Sequence, residues 1–389
     1  MFLLDTVKEY YPFDIPAYFE ACAETFVPDE TIPLVSEEEM TAVQNAVGLD
    51  DSCFAFLREI NAKLLADPAR NLAARFLRYV LVEARKPWEN HIYAPVMFEV
   101  PGYEAGSVHL LFVTAALGYT LTVRKPPADL NAENVGAYRG YTTNYTSEHG
   151  HWGIGELHWN LLCAGGCMFL FNTLKFQPAN FSGDYLVLTD GKEYRTLLIG
   201  AFGVDKDGAL TNDENRVAFR NAELLETDTA FVAHEIYPNG AVAQKATSFD
   251  KDTWKVALCE KDFVLGIHIP SKSEYTPEQH RASILQALEF YRAFYPDKEF
   301  KAITCWSWLY SAQNKHLFPA DSRILEIERC VHLCPTTAVM DESLMFIRKG
   351  SSLQQRMAEF RAAGNEYHAG YMYSPLSEAE VFGEYKHEL

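Results

Sequence analysis

The sequence predicts an α/β protein (α+β overall), with an α-rich N-terminal domain packed on a mixed α/β C-terminal domain. Two observations predict this class. Up to about residue 175, apolar residues recur with the 3.6-residue period of amphipathic helices. From about residue 183 onward, short runs rich in β-branched and aromatic residues alternate with turn residues. We place the domain boundary between residues 162 and 163, which gives domains 1–162 and 163–389.

Helices of the first domain can be located from their start signals. Ser36-Glu-Glu-Glu39 is a capping box, and Asp67-Pro68 is an N-cap followed by proline at the first helical position. A third helix is expected from Glu156 to Leu174, although Gly165-Gly166 should weaken its middle. These signals predict a domain built from helices that pack on a common core.

In the second domain, two β-rich runs flank Asp190-Gly191, which predicts a hairpin. A strand, a long helix and a strand then follow in order, which is a βαβ unit with parallel strands. A helical segment, a strand and a final helix complete the domain. The predicted bounds are 185–189 and 194–202 for the hairpin, 230–237 for a further strand, 263–269, 277–294 and 300–306 for the βαβ unit, and 322–332, 344–347 and 351–362 for the last three elements.

The charge balance excludes several classes of partner. The chain has 53 acidic and 34 basic residues, for a net charge of −19, so nucleic acids and anionic membranes would be repelled.

The apolar stretch Leu161–Phe171 is far shorter than the ~20 residues of a membrane span, and the N-terminus lacks the basic region of a signal peptide. Eight cysteines in 389 residues are too few for a disulfide scaffold. We expect a cytoplasmic protein with free thiols.

Three groups of potential metal ligands have simpler explanations. Residues 147–158 contain three histidines and two glutamates, but without the H-E-x-x-H spacing that places two ligands on one helical turn. The run Asp205–Gly208 copies part of a calcium loop, but Gly203 occupies the position of the first ligand. The pairs Cys163/Cys167 and Cys330/Cys334 lie among apolar residues, as buried thiols do. We therefore expect no bound metal.

The most informative segment is Gly266-Ile-His-Ile-Pro270, where His268 ends a predicted strand. Ligands of α/β sheets bind at the carboxyl ends of strands, although a hydrogen-bonded core histidine is the alternative. The next strand ends in Cys305-Trp-Ser-Trp-Leu-Tyr310, so Ser307 and Tyr310 would lie beside His268 if the two strands are adjacent. Covalent catalysis is disfavoured because Ser307 lacks a G-x-S-x-G elbow and Cys305 lacks an activating helix terminus.

A set of residues with characteristic spacing runs from about residue 150 to 345. They are Glu156-Leu-x-Trp159, Ile236-x-Pro238-x-Gly240, Trp254, Leu258, His268-Ile-Pro270, Ser283, Ala287, Phe290, Phe294-x-Pro296, Ser307-Trp-Leu309 and Pro319-Ala-Asp-Ser322-x-Ile324. In these residues the sequence resembles a family of bacterial two-domain proteins, which combine a helical N-acyltransferase-type N-terminal domain with a GNAT-like acyltransferase C-terminal domain. In contrast to the family, this chain has Ser271-Lys-Ser273 where a glycine is usual.

The resemblance implies a GNAT-like C-terminal fold and transfer of an acyl group from acetyl-CoA or another acyl-CoA to a small-molecule or peptide amine. Such chemistry needs a base for the ammonium and an acid for the leaving thiolate. The pyrophosphate of the co-substrate would lie at the N-terminus of the helix opening at Thr276-Pro277. The implied catalytic residues are His268 or Glu235 as base, Tyr310 as acid, and Ser307; the implied cofactor-binding residues are Lys272, Ser273, Thr276 and Arg281.

Two other functional classes stay open. A non-catalytic ligand-binding protein on a degenerate acyltransferase scaffold is favoured by the missing loop glycine. A metal-dependent hydrolase would use the ligands between Glu148 and His158. Acyl-CoA binding and metal content distinguish these classes from an acyltransferase.

Overall fold

The computed structural model describes residues 2–11, 17–85, 99–270, 273–340, 347–384 and 386–389. The chain divides into two compact units, residues 1–170 and residues 171–389. The predicted boundary between residues 162 and 163 falls within the last helix of the first unit.

The first unit is helical, as predicted, and two of its helices continue directly into π-helical turns. The helices are α1 (Phe2–Tyr10), α2 (Ala17–Thr25), α3 (Glu37–Val47), α4 (Asp51–Leu65), α5 (Pro68–Arg78), α6 (Ala105–Tyr119), α7 (Ala128–His149) and α8 (Leu157–Ala164), with π-helical turns at Tyr79–Glu83 and Thr120–Arg124.

Both predicted helix starts in this unit are confirmed. The Ser36 hydroxyl accepts the N–H of Glu39 at 3.2 Å, and the Glu39 carboxylate accepts the N–H of Ser36 at 2.9 Å. The Asp67 side chain accepts the N–H of Arg70 at 3.2 Å. Glu39 also pairs with Arg78 at 2.6 Å, and both side chains are largely buried. The cap of α3 therefore joins it to α5 through a charged, hydrogen-bonded contact.

Helix α6 lies in the core of the first unit. Apart from His109, its residues from Gly106 to Gly118 are buried. With its π-helical turn, the segment Ala105–Arg124 is long and apolar enough to cross a membrane, but most of it is buried inside the protein. Its apolar surface is used in packing against the other helices, as expected of a core helix.

The third predicted helix is shorter than expected. Helix α8 ends at Ala164, and Gly166 has a φ of 65°, in the left-handed region that glycine adopts without strain. The prediction of a helix as far as Leu174 is therefore wrong. The two glycines end the helix, and the side chain of Arg124 donates to the carbonyl of Gly165 just beyond it.

The second unit contains two large sheets and one small sheet. The first sheet has the order β1 (Phe169–Phe171), β2 (Leu174–Asn180), β12 (Phe263–His268), β13 (Phe300–Ser307), β15 (His368–Pro375) and β14 (His332–Val339). The second has the order β10 (Val242–Asp250), β9 (Ala230–Ile236), β4 (Tyr194–Leu198), β3 (Tyr185–Thr189) and β11 (Lys255–Leu258), with β8 (Leu225–Glu226) beside β9. The small sheet has the order β6 (Leu210–Thr211), β5 (Gly203–Val204) and β7 (Phe219–Arg220).

The helices of this unit are short except for two. They are α9 (Pro277–Phe294), α10 (Asn314–Leu317), α11 (Arg323–Glu328), α12 (Ser352–Ala362) and α13 (Leu376–Ala379), with a 3₁₀ turn at Trp308–Tyr310.

The predicted βαβ unit is confirmed, because β12, α9 and β13 follow in order and the two strands pair in parallel. The β3–β4 hairpin and strand β9 are also confirmed. The helix predicted over 322–332 is too long, since α11 ends at Glu328 and β14 begins at His332. The strand predicted over 344–347 lies almost wholly outside the described residues, which exclude 341–346.

The first sheet is covered on both faces. One face shares an apolar cluster with the second sheet, to which Val264 and Ala302 contribute from the first sheet and Val187 and Ile236 from the second. Helix α9 lies against β2, where the Tyr291 hydroxyl donates to the carbonyl of Phe176 at 2.6 Å. Because both faces are covered, we expect a ligand to reach this sheet at the carboxyl ends of β12 and β13.

Gly370 on β15 lies against the backbone of the 3₁₀ turn, where a Cβ would collide with the Tyr310 carbonyl. We expect Gly370→Ala to lower the free energy of unfolding by about 3 kcal/mol, because neither backbone segment can move aside cheaply. Gly136→Ala on α7 is the matched control: nothing lies within 4 Å of its added Cβ, so the variant should gain roughly 0.5–1 kcal/mol. Denaturant unfolding of both variants would contradict this account if the two had equal stability.

Candidate functional site

The site is formed where two parallel strands separate. β12 and β13 pair as far as Gly266 opposite Thr304. Beyond that point β12 remains paired with β2 up to His268, and β13 remains paired with β15 up to Ser307. The facing edges of β12 and β13 thus diverge, and between them the Cys305 thiol donates to the carbonyl of Ile267 at 3.2 Å. This opening presents strand-edge backbone groups at the carboxyl ends of both strands.

His268 lies on one face of this opening. It is opposite Lys175 on β2, and strand alternation puts it on the same face as Thr304 and Trp306 of β13. Lys175 is buried, whereas Trp306 is 54% exposed. An imidazole, an ammonium group and an exposed indole are therefore gathered at the end of the sheet.

Ser307 lies on the opposite face of the sheet, with Cys305. Its hydroxyl accepts the N–H of Leu309 at 3.2 Å and so caps the 3₁₀ turn. The Cys305 thiol is buried, and this burial raises its pKa, so it stays protonated and is a poor nucleophile. The strands are adjacent as expected, but the expectation that Ser307 would share a cavity with His268 fails because the two residues differ in strand parity.

Tyr310, the predicted acid, is fully buried behind the end of β13. Its hydroxyl interacts with that of Tyr275, and burial raises the pKa of both groups well above the usual value. Among the residues that the structure describes, neither hydroxyl has a further hydrogen-bond partner. At neutral pH both tyrosines therefore keep their protons.

The N-terminus of α9 begins as the sequence predicts. The Thr276 hydroxyl accepts the N–H of Gln279 at 3.3 Å, and Ser273 donates to the carbonyl of Thr173 at 2.6 Å. Lys272 lies outside the described residues.

Arg281 is directed away from the loop after β12, because it pairs with Glu384 at 2.7 Å and donates to the Glu380 carbonyl. Of the four expected cofactor contacts, Thr276 and Ser273 lie near the helix entrance, while Arg281 already has a carboxylate partner.

Glu235 is not brought together with His268. It lies on β9 in the second sheet and pairs with Arg195 at 3.0 Å. Along β9 it alternates with Ile236, which belongs to the cluster between the two sheets, so Glu235 faces away from the first sheet. This placement makes Glu235 a poor base for chemistry at the end of β12.

The other motifs noted in the sequence have structural roles. His149 stacks on Tyr145 with ring centroids 3.9 Å apart, and His151 pairs with Glu104 at 3.2 Å. Asp205 accepts the N–H groups of Asp207 and Ala209, both at 2.9 Å, which closes an acidic turn. None of the eight cysteines forms a disulfide in the structure.

A buried polar cluster that was not predicted from the sequence lies behind the opening. The Glu328 carboxylate on α11 accepts from the Asn314 amide at 2.9 Å, and Tyr367 donates to the Asn314 side-chain oxygen at 2.6 Å. Burial raises the pKa of Glu328 to about 8. The sequence does carry one signal for the burial of Glu328: this residue follows Leu325 by one helical turn and so lies on the apolar face of α11.

This carboxyl predicts a pH dependence of stability. Because the pKa of Glu328 rises from 4.5 to about 8 on folding, the folded state binds more protons, and the free energy of unfolding falls as pH rises across that range. Glu328→Gln removes the ionisation. Its unfolding free energy relative to wild type should therefore rise by roughly 1–4 kcal/mol between about pH 5 and pH 8. The exposed Glu289→Gln control should show no such trend in denaturant unfolding, and a flat difference for both variants would contradict the assignment.

Comparison with known proteins identifies the family. Residues 155–369 match the model of the GNAT-like C-terminal domain. A mutant of the acyltransferase orf11*, solved with octanoyl-CoA, shares the fold at 14% identity and a TM-score of 0.52, covering 95% of this chain and 98% of that one. An acyltransferase solved with decanoyl-CoA and teicoplanin is 14% identical with a TM-score of 0.45, covering 87% and 99%. No curated protein matches the sequence. Since the family model spans more than half of the chain, the protein belongs to the family with a GNAT-like C-terminal domain.

Proposed function

We propose that this protein is a cytoplasmic acyl-CoA-dependent N-acyltransferase that moves an acyl group to the amine of a small molecule or peptide. The observation that carries the proposal is the divergence of β12 and β13 beyond Gly266 and Thr304, in a chain of the GNAT-like family. The shared fold with an acyltransferase solved with octanoyl-CoA supports the choice of co-substrate.

The opening suits the amide-containing arm of an acyl-CoA. A strand edge with unpaired N–H and C=O groups binds extended chains by adding a further line of hydrogen bonds. Here the two facing edges lie beyond Gly266 on β12 and Thr304 on β13. The N-terminus of α9 follows β12 after a short loop, so the anionic end of the same ligand can meet the positive end of the helix dipole.

His268 is the proposed base. The amine must lose a proton to attack the thioester carbonyl, a C–N bond then forms, and the C–S bond breaks to release the CoA thiolate. His268 ends β12 at the mouth of the opening, whereas Glu235 lies in another sheet and is paired with Arg195. The proton removed from the amine goes to the imidazole.

Tyr310 remains the proposed acid for the thiolate. Its hydroxyl carries a proton at neutral pH, but burial raises its pKa and so makes it a weaker acid. Because it is fully buried beside Tyr275, donation requires that acyl-CoA binding expose the hydroxyl and so lower its pKa. Ser307 supports the site by capping the 3₁₀ turn that carries Tyr310.

The second candidate function is acyl-CoA binding without transfer. Two observations favour it: Arg281 is already paired with Glu384, and Tyr310 is sealed from solvent. Calorimetric binding of acetyl-CoA and octanoyl-CoA, followed by thiol-release assays with a panel of amines, separates the two functions. Binding without thiol release on any amine would favour the non-catalytic protein.

Replacing the proposed base tests the assignment directly. His268→Gln should lower kcat by about 100-fold or more because the attacking amine keeps its proton, while the acyl-CoA dissociation constant changes by less than about threefold. The assay is thiol release at saturating acyl-CoA. His149→Ala, which alters an exposed histidine stacked on Tyr145, is the matched control and should retain wild-type activity. Full activity in His268→Gln, with loss in Glu235→Gln, would move the base to the second sheet.

The charge at the N-terminus of α9 gives a second test. The exposed Glu278 carboxylate is held near its own N–H and the Thr276 hydroxyl, which lowers its pKa. It therefore opposes an anion at this helix end. We expect Glu278→Gln to tighten acyl-CoA binding by roughly two- to fivefold in calorimetry at low salt.

Glu289→Gln is the control for this test. It removes the same charge from the same helix, on its exposed side and several turns from the N-terminus. Its effect on the dissociation constant should be much smaller. Equal effects of the two substitutions would show that only the net charge matters, and would place the pyrophosphate elsewhere.

A further inference from the structure

A compact group of metal-ligand side chains lies outside the proposed acyltransferase site. His332 is on β14, Glu378 is on α13, and His387 follows in the stretch after residue 385. One ligand atom from each side chain lies within 4.8 Å of the others. Three separate elements thus bring two imidazoles and one carboxylate to a common point.

The group is held by its surroundings. His332 and Glu378 approach each other at 2.9 Å, and the His332 side chain is only 5% exposed. The His332 ring also stacks on Tyr373, with centroids 4.7 Å apart and an angle of 9°. The His387 ring lies 4.4 Å from that of His332. The backbone N–H of His387 donates to the Arg329 carbonyl at 2.7 Å, which fixes this residue beside the other two.

We propose that His332, Glu378 and His387 bind a divalent transition metal ion of the Zn²⁺ type. Two imidazole nitrogens and one carboxylate oxygen form a donor set that suits Zn²⁺ and leaves a fourth position for water. In a tetrahedral site with ligands about 2.1 Å from the ion, the ligand atoms lie about 3.4 Å apart. The three ligand atoms lie within 4.8 Å of one another here, so side-chain rotation is needed to close the site on an ion. Binding through Nε2 of His332 replaces its hydrogen bond with Glu378 and releases the proton of that bond to solvent.

The ion would tie the stretch containing His387 to β14 and α13. The proposal differs from the expectation that no metal is bound, because that expectation came from ligands close together in the sequence. His332, Glu378 and His387 come together only when β14 pairs with β15 and α13 folds back after it. The site is independent of the acyl-CoA opening, since none of its ligands lies on β12, β13 or α9.

The test uses the full chain after dialysis against a chelator. Calorimetric titration with Zn²⁺ should give one ion per chain, and Co²⁺ should produce the visible absorption of a four-coordinate site. His387→Ala should weaken Zn²⁺ binding at least ~10-fold, and His332→Ala should do the same. Zn²⁺ should raise the Tm of the wild type but not that of His387→Ala.

The matched control is the double variant His149→Ala with His151→Ala, which removes a different pair of histidines, whose ring centroids are 6.1 Å apart. It should bind Zn²⁺ like the wild type. If His332→Ala does not fold by circular dichroism, His387→Ala carries the test, because His387 lies outside the sheet and helices. No stoichiometric uptake, or uptake unchanged in His387→Ala, would overturn the proposal.

Discussion

Strands β12 and β13 share a parallel ladder as far as Gly266 and Thr304, and beyond those residues β12 continues along β2 and β13 along β15. Because the ladder between the two strands ends there, their backbone edges face each other at the carboxyl ends of both strands. The position of His268 and the nearby entrance of α9 depend on this opening. The Cys305 thiol, which donates to the Ile267 carbonyl, is the side-chain link that crosses it.

The region behind the opening is buried and polar. Tyr310 and Tyr275 keep their protons because burial raises their pKa values, and His280 stays neutral because burial lowers its pKa to about 4. Glu328, with a pKa raised to about 8, is the group there whose charge changes near neutral pH. In the absence of a ligand, Tyr275, Tyr310 and His280 therefore each keep one protonation state near neutral pH, and the proposed donation by Tyr310 needs acyl-CoA to change its surroundings.

The sequence predicted the elements whose signals are local. Thr276 with Pro277 set the start of α9, Asp190-Gly191 set the β3–β4 hairpin, and the order of strand, helix and strand required a parallel pair. The extent of α8 was overestimated, because two consecutive glycines end a helix that one glycine would only weaken. Strands β14 and β15 were missed since they are defined by pairing with each other and with β13, which the local sequence does not show.

The candidate site was predicted in part for the same reason. The position of His268 at a strand end follows from the local sequence, but the face that Ser307 occupies depends on the register between β12 and β13. The separation of Glu235 from His268 depends on which sheet β9 joins. The roles of Arg281 and Glu328 were equally out of reach, because their partners Glu384 and Asn314 come from other elements.

Amide hydrogen exchange in the presence and absence of octanoyl-CoA tests most directly whether the opening between β12 and β13 is the acyl-CoA site. The backbone groups that face the opening lie at residues 267–268 and 305–307, and the helix entrance lies at 276–280. If the account is right, octanoyl-CoA slows exchange in all three segments. Protection confined to other parts of the chain, with these segments unaffected, would contradict it.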